Sequence, residues 1–196
     1  MTPYHHGDLR AELLRHAARR IEEAGPAGLS LRELARDAGV SHAAPRQHFR
    51  DKQALLDALV ISGLERLGRR LDRALRDPGE GFDERLTRFA RAYIRFATQN
   101  RELLALMFAR KDAPDATDEL RAANEAAFAA PRAMVDHAAA NGDIADTDAD
   151  RVAMAILATV HGLAAIIIGG MIGDRSPDTV VAGTVNVLAR GLSRAH

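Results

Sequence analysis

The chain has 196 residues with no cysteine and no tryptophan, and only two tyrosines and six phenylalanines. Without cysteine there is no disulfide framework and no thiolate metal site, which fits a reducing compartment such as the cytoplasm. The formal net charge is zero, which excludes a polycation held to its partners by charge alone. No secretory leader is expected, because the N-terminus is polar and the first apolar run is interrupted by Arg15, Arg19 and Arg20. The sequence shows no His-Glu-x-x-His, no glycine-rich phosphate loop and no Gly-x-Ser-x-Gly elbow. His5 and His6 make a weak metal pair, and His137 and His161 stand singly, so no catalytic residue, metal or cofactor is expected.

What is present is helical periodicity from end to end, with no convincing strand. The most informative stretch is Ser30 to Lys52, SLRELARDAGVSHAAPRQHFRDK. Ser30 and Glu33 form a Ser-x-x-Glu capping box, the local signal of a helix start. Leu31, Leu34, Ala35 and Ala38 recur at helical spacing and give a face of small apolar residues. Gly39 is free to take the left-handed conformation that ends the helix. Val40 plugs the corner, and Ser41 is expected to N-cap a second short helix. That helix exposes His42, Ala43, Arg46, Gln47 and Arg50 and turns Phe49 inward. No acidic residue lies between Asp37 and Asp51, and residues 1–52 hold nine Arg or Lys against seven Asp or Glu, a net of +2. A plain helical hairpin shares the glycine corner. The polar exposed face, with Lys52 at the next helix start, favours a helix-turn-helix that presents side chains to a DNA major groove.

On these residues the chain resembles the TetR family of bacterial regulators. Tyr4-His5-His6-Gly7-Asp8-Leu9-Arg10 and LSLRELARDAGVSHAAPRQHFRDKQALL, from Leu29 to Leu56, are similar to the DNA-binding domain of one branch. Val160-His161-Gly162-Leu163-Ala164 is similar to a C-terminal segment of some members, where an aromatic residue usually precedes it; here Leu157 stands before it. The resemblance implies an all-α chain: a three-helix helix-turn-helix domain over 1–55 and a helical ligand-sensing and dimerisation domain over 56–196. It also implies a dimeric repressor that a small hydrophobic effector releases from a palindromic DNA operator. Two positions depart from the common pattern. Pro45 stands where many members have an aliphatic residue, and Arg46 where many have a phosphate-binding tyrosine.

Ser41, His42, Ala43, Arg46 and Gln47 are the groove candidates. Arg46 or Gln47 is suited to a bidentate contact with a guanine or adenine edge, and Ala43 to a thymine methyl. Ser41, His48 and Lys52 are suited to phosphates, although His48 serves equally as a spacer beside Phe49. The resemblance adds Arg32 as a base or phosphate contact.

The remaining periodicity predicts helices over Leu9–Ala24, Asp51–Arg76, Phe82–Thr98 and Arg101–Arg110. A longer helix is expected from near Pro114 to Ala140, kinked or split at Pro131, followed by helices over Asp148–Ile172 and Pro177–Ser193. Residues 152–173 carry no charge, long enough to span a bilayer. The flanking Asp148, Asp150 and Asp174 lack the basic bias of a membrane edge. A helix buried in a bundle or dimer core is the better reading, with homodimerisation through 148–172 and 177–193. Tyr93, Phe96, Met107, Phe108, Phe128, Met134, Met154 and His161 are the candidates to line a ligand pocket. Two alternatives remain: a DNA-binding regulator without a small-molecule ligand, and a helical interaction module that no longer binds DNA.

Overall fold

The computed structural model describes residues 9–77, 81–111, 113–145 and 148–193. The segment Tyr4–Asp8 of the resemblance lies outside them. The described residues form nine α-helices and no extended sheet: α1 (Leu9–Ala24), α2 (Leu31–Asp37), α3 (Lys52–Ala74), α4 (Phe82–Gln99), α5 (Arg101–Lys111), α6 (Asp118–Ala127), α7 (Ala129–Asn141), α8 (Ala149–Ile168) and α9 (Pro177–Leu192). The all-α architecture matches the expectation. The chain divides into two compact units, Met1–Leu64 with Asn100–Asn124, and Glu65–Gln99 with Glu125–His196. Helix α3 runs through both.

In the first unit, Leu13, Ala17 and Ile21 of α1 are fully buried, as are Leu34 and Ala35 of α2. Gly63 brings α3 close to α5: a Cβ there would lie 3.1 Å from Leu103 Cδ2 and 3.2 Å from Met107 Sδ. The N-terminus of α5 is capped from another helix. The Glu22 carboxylate of α1 accepts from the backbone N–H groups of Glu102 (3.3 Å) and Leu103 (3.1 Å), two of the donors a helix start leaves open. Asp57, only 9% exposed, accepts from Gln53 Nε2 and Arg110 Nε, each at 3.0 Å. Arg110 also donates to Asp115 at 2.8 Å.

In the second unit α4 is the central element. Phe82, Leu86, Phe89, Tyr93 and Phe96 are all buried, and the helix packs against α7, α8 and α9. Helix α8 buries Val152, Ile156, Val160, Leu163 and Ala164 on one side. Its other side is open: Met154 is 65% and Ile166 41% exposed, and Ala155, Ala158 and Ala165 are exposed with them. It is the one described helix long and apolar enough to cross a membrane. In this chain it is a one-sided core helix.

Three element boundaries correct the sequence reading. The long helix expected from Pro114 to Ala140 is two helices, the first opening at Asp118, where Thr117 Oγ1 accepts from Leu120 N at 3.2 Å. The break falls at Phe128 rather than at Pro131. Pro131 lies in the first turn of α7, where a missing N–H leaves no intrahelical bond unmade. Helix α8 stops at Ile168 rather than Ile172, because Gly169 and Gly170 follow and Gly170 takes a left-handed φ of 70°.

Candidate nucleic-acid interface and ligand cavity

The helix-turn-helix begins as its sequence dictates. Ser30 caps α2, its hydroxyl accepting from Glu33 N and donating to Glu33 Oε2, both at 3.2 Å. The helix ends at Gly39, φ 66°, with Val40 N donating to Ala35 O at 2.9 Å and Gly39 N to Arg36 O at 3.1 Å. This closing pattern leaves few carbonyls open and reverses the chain within two residues.

The second helix differs from the expectation. It is a single 3-10 turn over Ala44–Gln47, and Ser41 makes no side-chain cap to it. Pro45 explains the change. It has no N–H to return to the Ser41 carbonyl, and that carbonyl accepts from Ala44 N instead (3.0 Å). Arg46 N then donates to Ala43 O, and His48 N to Pro45 O, each at 3.1 Å, a tighter i→i+3 ladder. The proline is buried and holds the turn to the unit as an aliphatic side chain would. Phe49, 2% exposed, anchors the exit, with the Arg10 guanidinium 5.7 Å from its ring centre.

All eight predicted DNA-binding residues are exposed. Ser41, His42, Ala43, Arg46, Gln47 and His48 lie on the turn and its flanks, Arg32 on α2 and Lys52 at the start of α3. The acids of α2 are engaged by an arginine of α1. Arg20 pairs with Asp37 through its Nε and Nη2 and lies 3.4 Å from Glu33, and its hydrogen bonding holds the Asp37 carboxyl below the usual range. Arg32, Arg36 and Arg46 face solvent beyond that cluster. Two candidates carry intramolecular partners. Lys52 Nζ donates to the Ala27 carbonyl at 3.1 Å. The His48 ring stands 6.4 Å from Phe49 at a tilt of 56°, the spacer position beside it. The N-terminus of α3 is taken by Asp51, which accepts from Ala54 N at 2.8 Å and from Arg50 Nε at 3.1 Å.

The second unit holds an open cavity of about 600 Å³ between α4, the end of α6, α7 and α8. Of the eight predicted pocket residues, Phe128, Met134 and Met154 line it. Tyr93 and His161 instead hydrogen-bond to each other, hydroxyl to Nδ1 at 2.9 Å, away from the cavity wall. Burial pushes the Tyr93 phenol well above its ordinary range and the His161 imidazole below its own, so both are neutral near pH 7. Phe96 is covered by the guanidiniums of Arg66 and Arg70, each 5.8 Å from its ring. Met107 and Phe108 belong to the first unit. Sequence reasoning missed Phe89 and Ile156 on the cavity wall and Glu125, Arg132 and Asp150 among its polar residues. No local motif announces them, because the wall is assembled from segments far apart in the chain.

Residues 13–59 match the family model of bacterial regulatory proteins of the tetR family, and residues 86–188 match the tetracyclin repressor-like C-terminal domain. No curated protein matches the sequence. A solved protein of unknown function from Rhodococcus sp. RHA1 is 46% identical over 99% of this chain and 100% of its own, with a TM-score of 0.91. The TetR family transcriptional regulator PfmR from Thermus thermophilus is 23% identical, covering 93% of this chain and 99% of that one, with a TM-score of 0.71. A TetR family transcription regulator from Marinobacter aquaeolei is 19% identical over 96% and 97%, with a TM-score of 0.78. The last two share the fold. The helix-turn-helix, the helical C-terminal unit and the matches to both domains agree: the chain belongs to the TetR family of DNA-binding transcriptional regulators.

Proposed function

We propose that this protein is a homodimeric, cytoplasmic, nucleoid-associated repressor that a small hydrophobic ligand releases from a palindromic operator. The observation that carries the DNA reading is the exposed row Ser41, His42, Ala43, Arg46 and Gln47 on a turn fixed from below by buried Pro45 and Phe49. Such a row reads only a few base pairs, so two copies related by a twofold axis are needed for a full site.

The open face of α8, with Ala155, Ala158, Ala165 and Ile166, and exposed Val187 of α9 supports pairing through the last two helices. Small residues there allow a second copy to approach closely. The cavity of about 600 Å³ lies within the range of small-molecule sites, roughly 300–1,000 Å³. A ligand seated there shifts the DNA-bound population only by its differential affinity for two arrangements of the chain. Helix α3, shared by both units, is the element proposed to carry that shift. No catalytic step is part of this reading.

Selection of bound sequences from random duplex DNA tests it. The expected outcome is a palindrome with half-sites about 34–36 Å apart or a multiple of that spacing. No enrichment, or a lone half-site, would contradict the dimeric reader.

A further inference from the structure

The cavity in the second unit is apolar at its base and charged at its rim, and the balance of charge there is uneven. Among its described lining residues the charged side chains are Glu125, Arg132 and Asp150 alone. Arg132 is already committed: Nη1 binds Asp150, and Nε donates to Asp136 Oδ1 at 2.9 Å. Both acceptors are carboxylates, so the one guanidinium is more than neutralised. Glu125 has no ion-pair partner among the described residues. It stands near the end of α6, three residues before Phe128 at the break between α6 and α7, which lines the cavity with Phe89. Both side chains line the cavity, and both attract a positive charge, the ring through its negative π face.

We propose that the cavity takes a lipophilic organic cation, its apolar body against Phe89 and Phe128 and its positive centre toward Glu125. The inference rests on the reading of this cavity as the effector site and adds the charge of the effector. An anion of the same shape would meet the like charge of Glu125 and would have to part Arg132 from two carboxylates.

The test uses two ions of matched shape and opposite charge, tetraphenylphosphonium and tetraphenylborate, in competition with the neutral dye N-phenylnaphthylamine on the purified full-length protein. The dye is expected to bind and to be lost in Ala153→Trp, which fills the cavity from α8. Tetraphenylphosphonium should displace it at about tenfold lower concentration than tetraphenylborate, from one exposed charge and a ring face. Glu125→Gln should narrow that ratio about two- to fivefold. Failure of the dye to bind, or its binding unaltered in Ala153→Trp, overturns the effector-site reading and this inference together. Dye binding with the borate equal to or tighter than the phosphonium overturns the cation inference alone. A phosphonium preference that survives Glu125→Gln intact overturns it as well, by removing the residue on which it stands.

Discussion

Replacing Tyr93 by Phe removes one oxygen from the middle of the second unit and leaves the ring in place. Tyr93 is fully buried, its hydroxyl is 2.9 Å from His161 Nδ1, and the two rings meet edge to face with centres 6.3 Å apart. A hydrogen bond contributes about 0.5–1.5 kcal/mol net, and stranding a buried partner raises the loss to about 1–3. His161 is half-buried, so water reaches part of the ring and the upper end does not apply. The expected loss is about 1–2 kcal/mol. At about 2–4 °C per kcal/mol for a chain of this size, the melting temperature should fall by about 2–8 °C at pH 7.5. The same pair sets a pH dependence. Burial holds the folded-state pKa of His161 below its ordinary value of 6.5, so the unfolded chain binds this proton first as pH falls. Its contribution is fully present above about pH 6.5 and is lost between that value and the lower folded pKa. His161→Gln, which does not titrate, should flatten the decline of stability over that window. Calorimetry of the three proteins between pH 5 and 8 decides. A Tyr93→Phe melt within about 1 °C of the parent, or an unaltered acid slope in His161→Gln, would refute the reasoning.

Three further outcomes are expected. A Cβ at Gly68 would sit 3.1 Å from the Ala127 Cα, backbone that cannot swing aside. Gly68→Val should therefore lose about 1–3 kcal/mol by urea titration. Asp57→Ala removes two 3.0 Å hydrogen bonds and strands a side of Arg110 that Asp115 does not reach. A loss of about 2–3 kcal/mol is expected, below the full penalty of a broken buried pair because Asp115 remains. The double change Ile166→Asp and Val187→Asp puts charge on two exposed apolar positions, 41% and 73% open in the single chain. By sedimentation it should yield a folded monomer; an unchanged dimer would move the interface elsewhere.

Much of the fold was legible because the signals were local. Ser30, Glu33 and Gly39 fix the ends of α2 through bonds within six residues, and Asn141-Gly142 stops α7 with Gly142 at φ 75°. Pro45 has an effect that no local pattern announces: it leaves the Ser41 carbonyl to Ala44 N, and the turn runs through i→i+3 bonds until Phe49 N closes on the Pro45 carbonyl at 2.9 Å. At Pro131 the inverse holds. The proline is harmless in α7 because the chain breaks earlier, at Phe128. Long-range relations were not legible. Tyr93 and His161 meet across 68 positions, and each was read as a wall of a pocket when their polar atoms satisfy each other. Phe89 lines the cavity because α6, α7 and α8 leave a gap over it, which no periodicity on α4 reveals.

The central claim, sequence-specific DNA reading by the short turn at Ala44–Gln47, is tested most directly by a mobility-shift titration. Purified protein is titrated against its own upstream intergenic DNA and against unrelated DNA at about 150 mM salt, where loose charge attraction is screened. A discrete shift with the upstream DNA, weakened at least about tenfold by Arg46→Ala, is predicted from the loss of one base contact per half-site. A shift equal on both DNAs, or one that Arg46→Ala leaves untouched, would contradict the account.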